Sequence, residues 1–243
     1  MGEFMRFGGI LDMSTIDYPG KVSSVVFLHG CNFRCPFCHN KLLVEGDEYQ
    51  EAEIYKIIES IKKHSGFIDA VVITGGEPTL QKELEELCRG LKGIKLLVKL
   101  DTNGYEPEIV EKLLKNGLLD FISMDIKSAP EKYNKLSGIS CNLDKIKKTL
   151  EIIKKSGVDY ELRTTIIPGI NDTEEDIKSV IDFIKPARTY VLQQFKQENG
   201  TLSDEFANIQ KTDRDLLLKL AKIVKNNGLN VKIRTEEAGE EEL

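Results

Sequence analysis

The chain lacks the features that mark secreted, membrane and nucleic-acid-binding proteins. Among its 243 residues there is no tryptophan, and no window approaches the roughly 18 to 20 apolar residues that cross a bilayer. The N-terminus shows no basic segment followed by an apolar stretch, so secretion is not indicated. Lysine and arginine number 34 against 40 Asp and Glu, and the net charge of −6 gives no footprint for nucleic acid. We therefore expect a cytoplasmic protein.

Strand-like and helix-like segments alternate with great regularity. The strands are predicted at about 22–28, 69–74, 94–101, 119–126, 159–167, 188–195 and 230–234, and the helices at about 51–65, 80–91, 106–116, 142–156, 173–185 and 212–227. This order predicts an α/β fold with a parallel sheet and outer helices, either an open doubly wound sheet or a barrel. About six units favour an incomplete (β/α)6 TIM-like barrel. We expect one barrel domain over 22–235, after an N-terminal extension (1–21) and before a solvated acidic tail (236–243).

The five cysteines divide into a cluster of three and two isolated residues. Cys31, Cys35 and Cys38 share one loop with the spacing C-x3-C-x2-C, which in a reducing compartment suggests a metal before a disulfide. A structural zinc ion would take His39 as its fourth ligand. An iron–sulfur cubane needs four ligands, so three thiolates would leave one iron open to a substrate or cofactor. No chemical role is assigned to the isolated cysteines, Cys88 and Cys141, so a single iron–sulfur cluster is expected.

Polar and glycine-rich motifs follow the ends of the predicted strands, where parallel α/β folds bind ligands. These motifs are Gly75-Gly76-Glu77-Pro78, Asp101-Thr102-Asn103-Gly104, Asp125-Ile126-Lys127 and Pro168-Gly169. Taken alone, the Gly-Gly-Glu-Pro motif is also typical of a turn before a helix. The Asp-Thr-Asn-Gly motif is also typical of a loop whose side chains hydrogen-bond to its own backbone.

The cysteine spacing, the aromatic Phe37 before the third cysteine and the Gly-Gly-Glu-Pro motif together resemble the radical S-adenosylmethionine (SAM) superfamily over nearly the whole chain. Within it the chain resembles the glycyl-radical-enzyme activases, and most narrowly the anaerobic ribonucleoside-triphosphate reductase activating proteins in their longer form. The segments that carry this narrower resemblance are 14–20, 29–32, 38–40, 101–104 and 124–127.

The resemblance implies a reaction and its partners. Cys31, Cys35 and Cys38 would hold a [4Fe–4S] cluster whose open iron is chelated by the amine and carboxylate of SAM. Reduced flavodoxin or ferredoxin would supply an electron, and the 5′-deoxyadenosyl radical would remove a Cα hydrogen from a glycine of a partner enzyme. The partner would enter the barrel mouth, which Ile16–Lys21 and Lys196–Asp204 are expected to flank.

The resemblance also implies cofactor-binding residues. Glu77 would accept hydrogen bonds from the SAM amine, with Gly75 and Gly76 allowing close approach of the backbone. The remaining candidates are Phe37, Asn40, Asp101, Thr102, Asp125, Lys127, Arg163, Thr165 and Gln193. Gln193 lies in Val191–Phe195, near the place where formate-lyase activases carry a histidine, and this departure favours the reductase activases.

Activases of this type hold a monovalent cation near the methionine carboxylate of SAM. Asp101, Thr102 and Asp125 are carried over as its candidate ligands, and their oxygen atoms suit a hard cation rather than zinc.

Two other functions are compatible with the sequence. A radical SAM enzyme could act on a small molecule, a peptide or RNA, and a zinc-stabilised binding protein would have no turnover. A glycyl radical in the partner separates the first from an activase, and a brown, iron-containing protein excludes the second.

Overall fold

A computed structural model describes residues 4–45, 49–197 and 200–243. Residues 1–3 of the expected N-terminal extension, and 198–199 of the segment expected beside the barrel mouth, lie outside the described residues. The strands are β1 (Phe4–Tyr18), β2 (Lys21–Leu28), β3 (Gln50–Glu53), β4 (Ala70–Gly75), β5 (Leu97–Thr102), β6 (Phe121–Asp125), β7 (Asp159–Ile166), β8 (Thr189–Gln194), β9 (Asn230–Thr235) and β10 (Gly239–Glu242). The helices are α1 (Lys41–Glu45), α2 (Ile54–Lys62), α3 (Leu84–Gly93), α4 (Pro107–Lys115), α5 (Tyr133–Ser137), α6 (Leu143–Lys155), α7 (Glu174–Ile184), α8 (Asp204–Ala207) and α9 (Arg214–Asn226).

The chain forms two compact units that alternate along the sequence. Unit 1 contains the described residues up to Asn32 together with Leu42–Ser123 and Lys145–Asp159. Unit 2 contains Phe33–Lys41, Met124–Asp144 and Tyr160–Leu243. The cysteine loop is therefore shared, because Cys31 belongs to unit 1 whereas Cys35 and Cys38 belong to unit 2.

Unit 1 is built on parallel strands with an antiparallel edge. β2 pairs with β4 and β4 pairs with β5, both in parallel, whereas β1 lies antiparallel to β2 and to β3. The β4 side chains from Ala70 to Ile73 are fully buried, as a continuous apolar run predicts for a parallel strand covered on both faces. Tyr18 and Val25 pack with Ala70 and Val72 in this core.

Unit 2 repeats the parallel arrangement. β7 pairs with β8 and β8 with β9, all in parallel, and β10 closes the edge by pairing antiparallel with β9. α7 begins at a capping box in which Thr173 and Asp176 exchange hydrogen bonds, so its start is fixed by local chemistry. The predicted α/β fold with a mostly parallel sheet is confirmed.

Both ends of the chain form strands that the sequence pattern did not predict. Phe4–Tyr18 of the expected extension forms the long strand β1, whose pairing with β2 is interrupted by register shifts. Those shifts break the alternation of buried and exposed side chains by which a strand is recognised in a sequence. Gly239–Glu242 of the expected solvated tail forms β10 because Lys232 and Arg234 on the neighbouring strand bind Glu240. Across the described ranges, no helix is long and apolar enough to cross a membrane.

Candidate active site

In unit 1 the glycine pair after β4 lies directly against the backbone that leads to Cys31. The amide of Gly76 donates to the Leu28 carbonyl at 2.9 Å, and that of Glu77 donates to the Gly30 carbonyl at 2.8 Å. A Cβ atom at Gly75 would overlap the Leu28 backbone, and one at Gly76 would overlap the Gly30 carbonyl. The close approach that the glycines allow in the structure is between two strand ends, and their expected role toward SAM stays a prediction.

In unit 2 a second glycine plays the same part for the rest of the cysteine loop. Gly138 has φ 69°, and a Cβ atom there would overlap the Arg34 carbonyl. The Arg34 amide donates to the Ser137 carbonyl at 2.9 Å, and the Cys38 amide donates to the Cys35 carbonyl at the same distance. The loop is thus held by one glycine contact within each unit.

The cysteine loop provides the donor set that an iron–sulfur cluster requires. None of the five cysteines is in a disulfide. Phe33 and Phe37 are buried, as expected for side chains that keep water from the sulfurs. The expected fourth zinc ligand, His39, instead packs edge to face on Phe195 with ring centroids 5.6 Å apart. In the part of the chain that the structure describes, no group of three or more His, Cys, Asp and Glu side chains is arranged around a metal position.

Buried polar atoms beside Cys31 test whether the loop fits a cluster. Neither ring nitrogen of His29 has a hydrogen-bond partner among the described residues, and the same holds for Nδ2 of Asn32. A buried donor without an acceptor is costly, so Nδ2 of Asn32 and the single N–H of a neutral His29 ring each call for an acceptor that the described residues do not supply. Cluster sulfurs are such acceptors, and hydrogen bonds to them tune iron–sulfur sites. By the chemistry of their atoms, three thiols on one loop and the buried amide group of Asn32 fit a [4Fe–4S] cluster.

Glu77 is a buried carboxylate held by neutral donors. Its Oε1 accepts from the Thr79 amide at 3.1 Å, the Thr79 hydroxyl at 2.6 Å and the Thr102 hydroxyl at 2.8 Å. Its Oε2 accepts from the Asn103 amide at 2.7 Å. Burial raises the pKa of the Glu77 carboxyl above its ordinary value, because the four donors offset only part of the loss of solvation. Its expected role toward the SAM amine remains a prediction.

Asp101, at the end of β5, is paired with a lysine of its own strand. Nζ of Lys99 lies 2.5 Å from Oδ1 of Asp101, and the Lys99 side chain is only 2% exposed. The neighbouring Thr102 hydroxyl donates to Glu77 and accepts from the Gly104 amide at 3.0 Å. Both groups expected to bind a monovalent cation in unit 1 are engaged with the protein itself.

Asp125 in unit 2 is held between two cations. Its Oδ1 accepts from Nε of Arg163 at 2.8 Å, and its Oδ2 accepts from Nζ of Lys127 at 3.0 Å. Burial alone would raise the pKa of Asp125, but the two cations outweigh it and hold that pKa well below its usual range. Asp125, Lys127 and Arg163 thus form one cluster of charged side chains in unit 2.

The other predicted residues of unit 2 are less closely connected. Thr165 on β7 stands opposite Gln193 on β8, so the two occupy neighbouring positions in the parallel register. Asn40 is exposed on the cysteine loop.

Three residues near the site were missed at the level of sequence. Asn103 contributes its amide to Glu77 and its side chain to Asn32 at 2.7 Å, and His29 precedes the first cysteine by two positions. Lys99 carried a usable signal, because a lysine inside the apolar run 96–100 must be paired when that strand is buried. Of the isolated cysteines, Cys88 is fully buried in α3, and burial raises the pKa of its thiol to about 12.

Comparisons with known proteins identify the family of this chain. The Radical SAM superfamily signature matches residues 25–184. A Methanocaldococcus jannaschii protein that bears the name of a glycyl-radical enzyme activating enzyme is 41% identical over 236 residues, covering 93% of this chain and 95% of the relative. The pyruvate formate-lyase-activating enzyme of Clostridium pasteurianum is 29% identical over 240 residues, covering 90% of this chain and 97% of that enzyme.

Among solved structures, a radical SAM methyltransferase from Sphaerobacter thermophilus shares the fold. Its TM-score is 0.71 at 14% identity, with 89% of this chain and 67% of the methyltransferase covered. The chain belongs to the radical SAM superfamily, which implies a [4Fe–4S] cluster and SAM, and within it to the glycyl-radical enzyme activating enzymes.

Proposed function

We propose that this activating enzyme installs a glycyl radical in anaerobic ribonucleoside-triphosphate reductase, with reduced flavodoxin or ferredoxin as the electron donor. The observation that carries the choice of client is the β8 sequence. At its end stand Gln193 and Gln194, where the resemblance to formate-lyase activases would require a histidine near this strand. Nε2 of Gln194 donates to the Thr212 carbonyl and to Glu237, and its Oε1 accepts from the Glu236 amide, so the side chain is engaged with the protein itself.

Cys31, Cys35 and Cys38 would hold the cluster, with Phe33 and Phe37 excluding water from it. When bound, the reduced cluster supplies the electron that divides SAM into methionine and a 5′-deoxyadenosyl radical able to take a glycine Cα hydrogen. The chain's own residues orient SAM for that event. Their contribution is positional, because a reactive radical must be formed next to the atom it attacks.

Glu77 is suited to the cationic end of SAM. Its carboxylate is buried, and the donors that reach it are neutral amides and hydroxyls. An ammonium would add a charge-assisted hydrogen bond to a carboxylate that still lacks a positive partner among these donors. Oε2, which accepts from one donor among the described residues, is the oxygen with room for it.

The cluster of Asp125, Arg163 and Lys127 would serve the anionic and sugar groups of SAM. Two cations share one carboxylate there, so the group carries a net positive charge. A positive group of this kind suits the methionine carboxylate. Thr165 and Gln193 would supply neutral hydrogen bonds to the ribose, with Asn40 at the edge of the same loop as the thiols.

A protein client is supported by apolar side chains on β1. Ile16, at the start of the segment expected beside the mouth, is 81% exposed, and Leu11 and Met13 on the same strand are each nearly half exposed. Exposed apolar side chains grouped on one element suit a protein contact.

The test is activation of defined clients under anaerobic conditions. The cluster-loaded protein is incubated with SAM, reduced flavodoxin and either the anaerobic reductase or a formate-lyase-type enzyme, and electron paramagnetic resonance detects the glycyl radical. We expect the radical in the reductase and not in a reductase variant whose radical glycine is alanine. A radical only in the formate-lyase-type enzyme would refute the choice of client, and SAM cleavage with no radical in either would favour a small-molecule, peptide or RNA substrate.

A further inference from the structure

Lys99 is a buried cation in a strand that otherwise buries apolar side chains. It lies on β5 between Val98 and Leu100, both fully buried, and is itself 1% exposed. Residues two apart on a strand share a face, which brings its ammonium to Asp101. An ammonium taken out of water is costly unless it is paired, and the Asp101 carboxylate is the partner that the fold provides.

The described residues do not fit the monovalent cation that the resemblance implies. Of its three expected ligands, Asp101 is bound by Lys99, and Thr102 has its hydroxyl engaged with Glu77 and Gly104. In unit 2, each oxygen of Asp125 already faces a cation. A metal ion at these oxygens would stand next to the like charges of Lys99, Lys127 or Arg163, which repel it.

Lys99 provides the positive charge that a bound alkali cation would provide. A bound Na⁺ or K⁺ would bring one positive charge to the Asp101 carboxylate, and the Lys99 ammonium brings the same charge through a covalent tether. We propose that Lys99 is a built-in substitute for the monovalent cation, so that this chain binds and positions SAM without Na⁺ or K⁺. Lys99 is accordingly a positioning residue that acts through Asp101.

The first test uses the unaltered, cluster-loaded protein. Its affinity for SAM is measured with tetramethylammonium as the sole added cation and again with Na⁺ or K⁺. We expect the dissociation constant to change by less than about twofold, because no site remains for the metal. A gain in affinity of about tenfold or more on adding either metal ion would overturn the proposal.

The second test creates the missing site. Lys99→Met keeps an unbranched apolar side chain that is one atom shorter and removes the charge. We expect SAM affinity in tetramethylammonium to fall by about tenfold, with K⁺ or Na⁺ restoring most of it. The thallium-205 resonance of added Tl⁺ should broaden with this variant and not with the unaltered protein. Lys92→Met, which removes a half-buried lysine paired with Asp120 in the same unit, should show neither effect.

These measurements separate the proposal from the choice of client, because SAM binding is read without any partner enzyme. If Lys99→Met folds but no alkali cation restores its affinity, Lys99 does not stand for a metal ion. If that variant fails to fold, Lys99→Arg keeps the charge and is expected to stay cation-independent, and the test on the unaltered protein still decides.

Discussion

Two carboxylates at strand ends, the buried Glu77 in unit 1 and the partly exposed Asp125 in unit 2, have opposite electrostatic surroundings. Glu77 accepts from amides and hydroxyls, and burial raises the pKa of its carboxyl. Asp125 lies between Arg163 and Lys127, which hold its pKa well below the usual range. Hydrogen bonds from neutral donors thus leave a negative charge available to a cationic ligand, whereas ion pairing uses it within the protein. The same residue class at equivalent strand ends therefore supports two different roles.

We expect the largest effect from removing a cluster cysteine, and we expect it to be equally severe in the two units. Cys31→Ala in unit 1 and Cys35→Ala in unit 2 are each expected to abolish iron binding and SAM cleavage, because three thiolates are the minimum for a cluster with one open iron. Iron content after anaerobic reconstitution and 5′-deoxyadenosine formation measure this. Cys141→Ala is the matched control and should retain both. Full SAM cleavage by either loop variant would contradict the cluster assignment.

The two glycine contacts should be the next most sensitive points. Gly76→Ala and Gly138→Ala are each expected to lower the free energy of unfolding by about 2–4 kcal/mol, since the added Cβ overlaps a carbonyl of the cysteine loop. Urea unfolding of the protein measures the loss. Gly93→Ala, with open space around the new Cβ, should change stability by no more than about 1 kcal/mol. Equal stability of all three variants would show that the loop is not held by these contacts.

Glu77→Gln tests the carboxylate that is held by neutral donors. The amide keeps the shape but loses the charge that would face the SAM ammonium, so SAM affinity is expected to fall by about ten- to a hundredfold. Calorimetric titration of the cluster-loaded protein measures it. Glu86→Gln, at an exposed position of α3, should bind SAM as the unaltered protein does. An unchanged dissociation constant for Glu77→Gln would remove Glu77 from the site.

Asp125→Asn tests the ion-paired side and should have the smallest effect. Because the Asp125 side chain is 31% exposed, we expect a loss of about 2 kcal/mol at pH 7, below the about 3–5 kcal/mol of a fully buried pair. A carboxyl whose folded-state pKa is lowered stabilises the fold above its unfolded pKa of about 4, and this contribution is lost as pH falls toward the folded value. Urea unfolding at pH 7 and pH 3 should therefore show the gap between variant and unaltered protein narrowing in acid. A gap that is independent of pH would contradict the pairing.

Local patterns predicted the parallel strands, most helices and the strand-end motifs, because buried apolar runs and strand termini depend on residues that are close together in the sequence. β1 was missed since its register shifts break the alternation. β10 was missed since two of its acidic residues are held from other elements, Glu240 by Lys232 and Arg234 and Glu241 by Arg214. In the site, too, local motifs were predicted and contacts from distant segments were not. The motif with Glu77 was evident, whereas its donors Thr102 and Asn103 come from the next strand end and required the fold.

The most direct test of the account follows the hydrogen atom itself. Anaerobic ribonucleoside-triphosphate reductase is prepared with glycine residues deuterated at Cα and incubated with the cluster-loaded protein, SAM and reduced flavodoxin. Mass spectrometry then determines the isotopic content of the 5′-deoxyadenosine produced. The account predicts one deuterium in this product, in proportion to the glycyl radical formed. Unlabelled 5′-deoxyadenosine accompanied by a full glycyl radical signal would contradict direct abstraction by this enzyme.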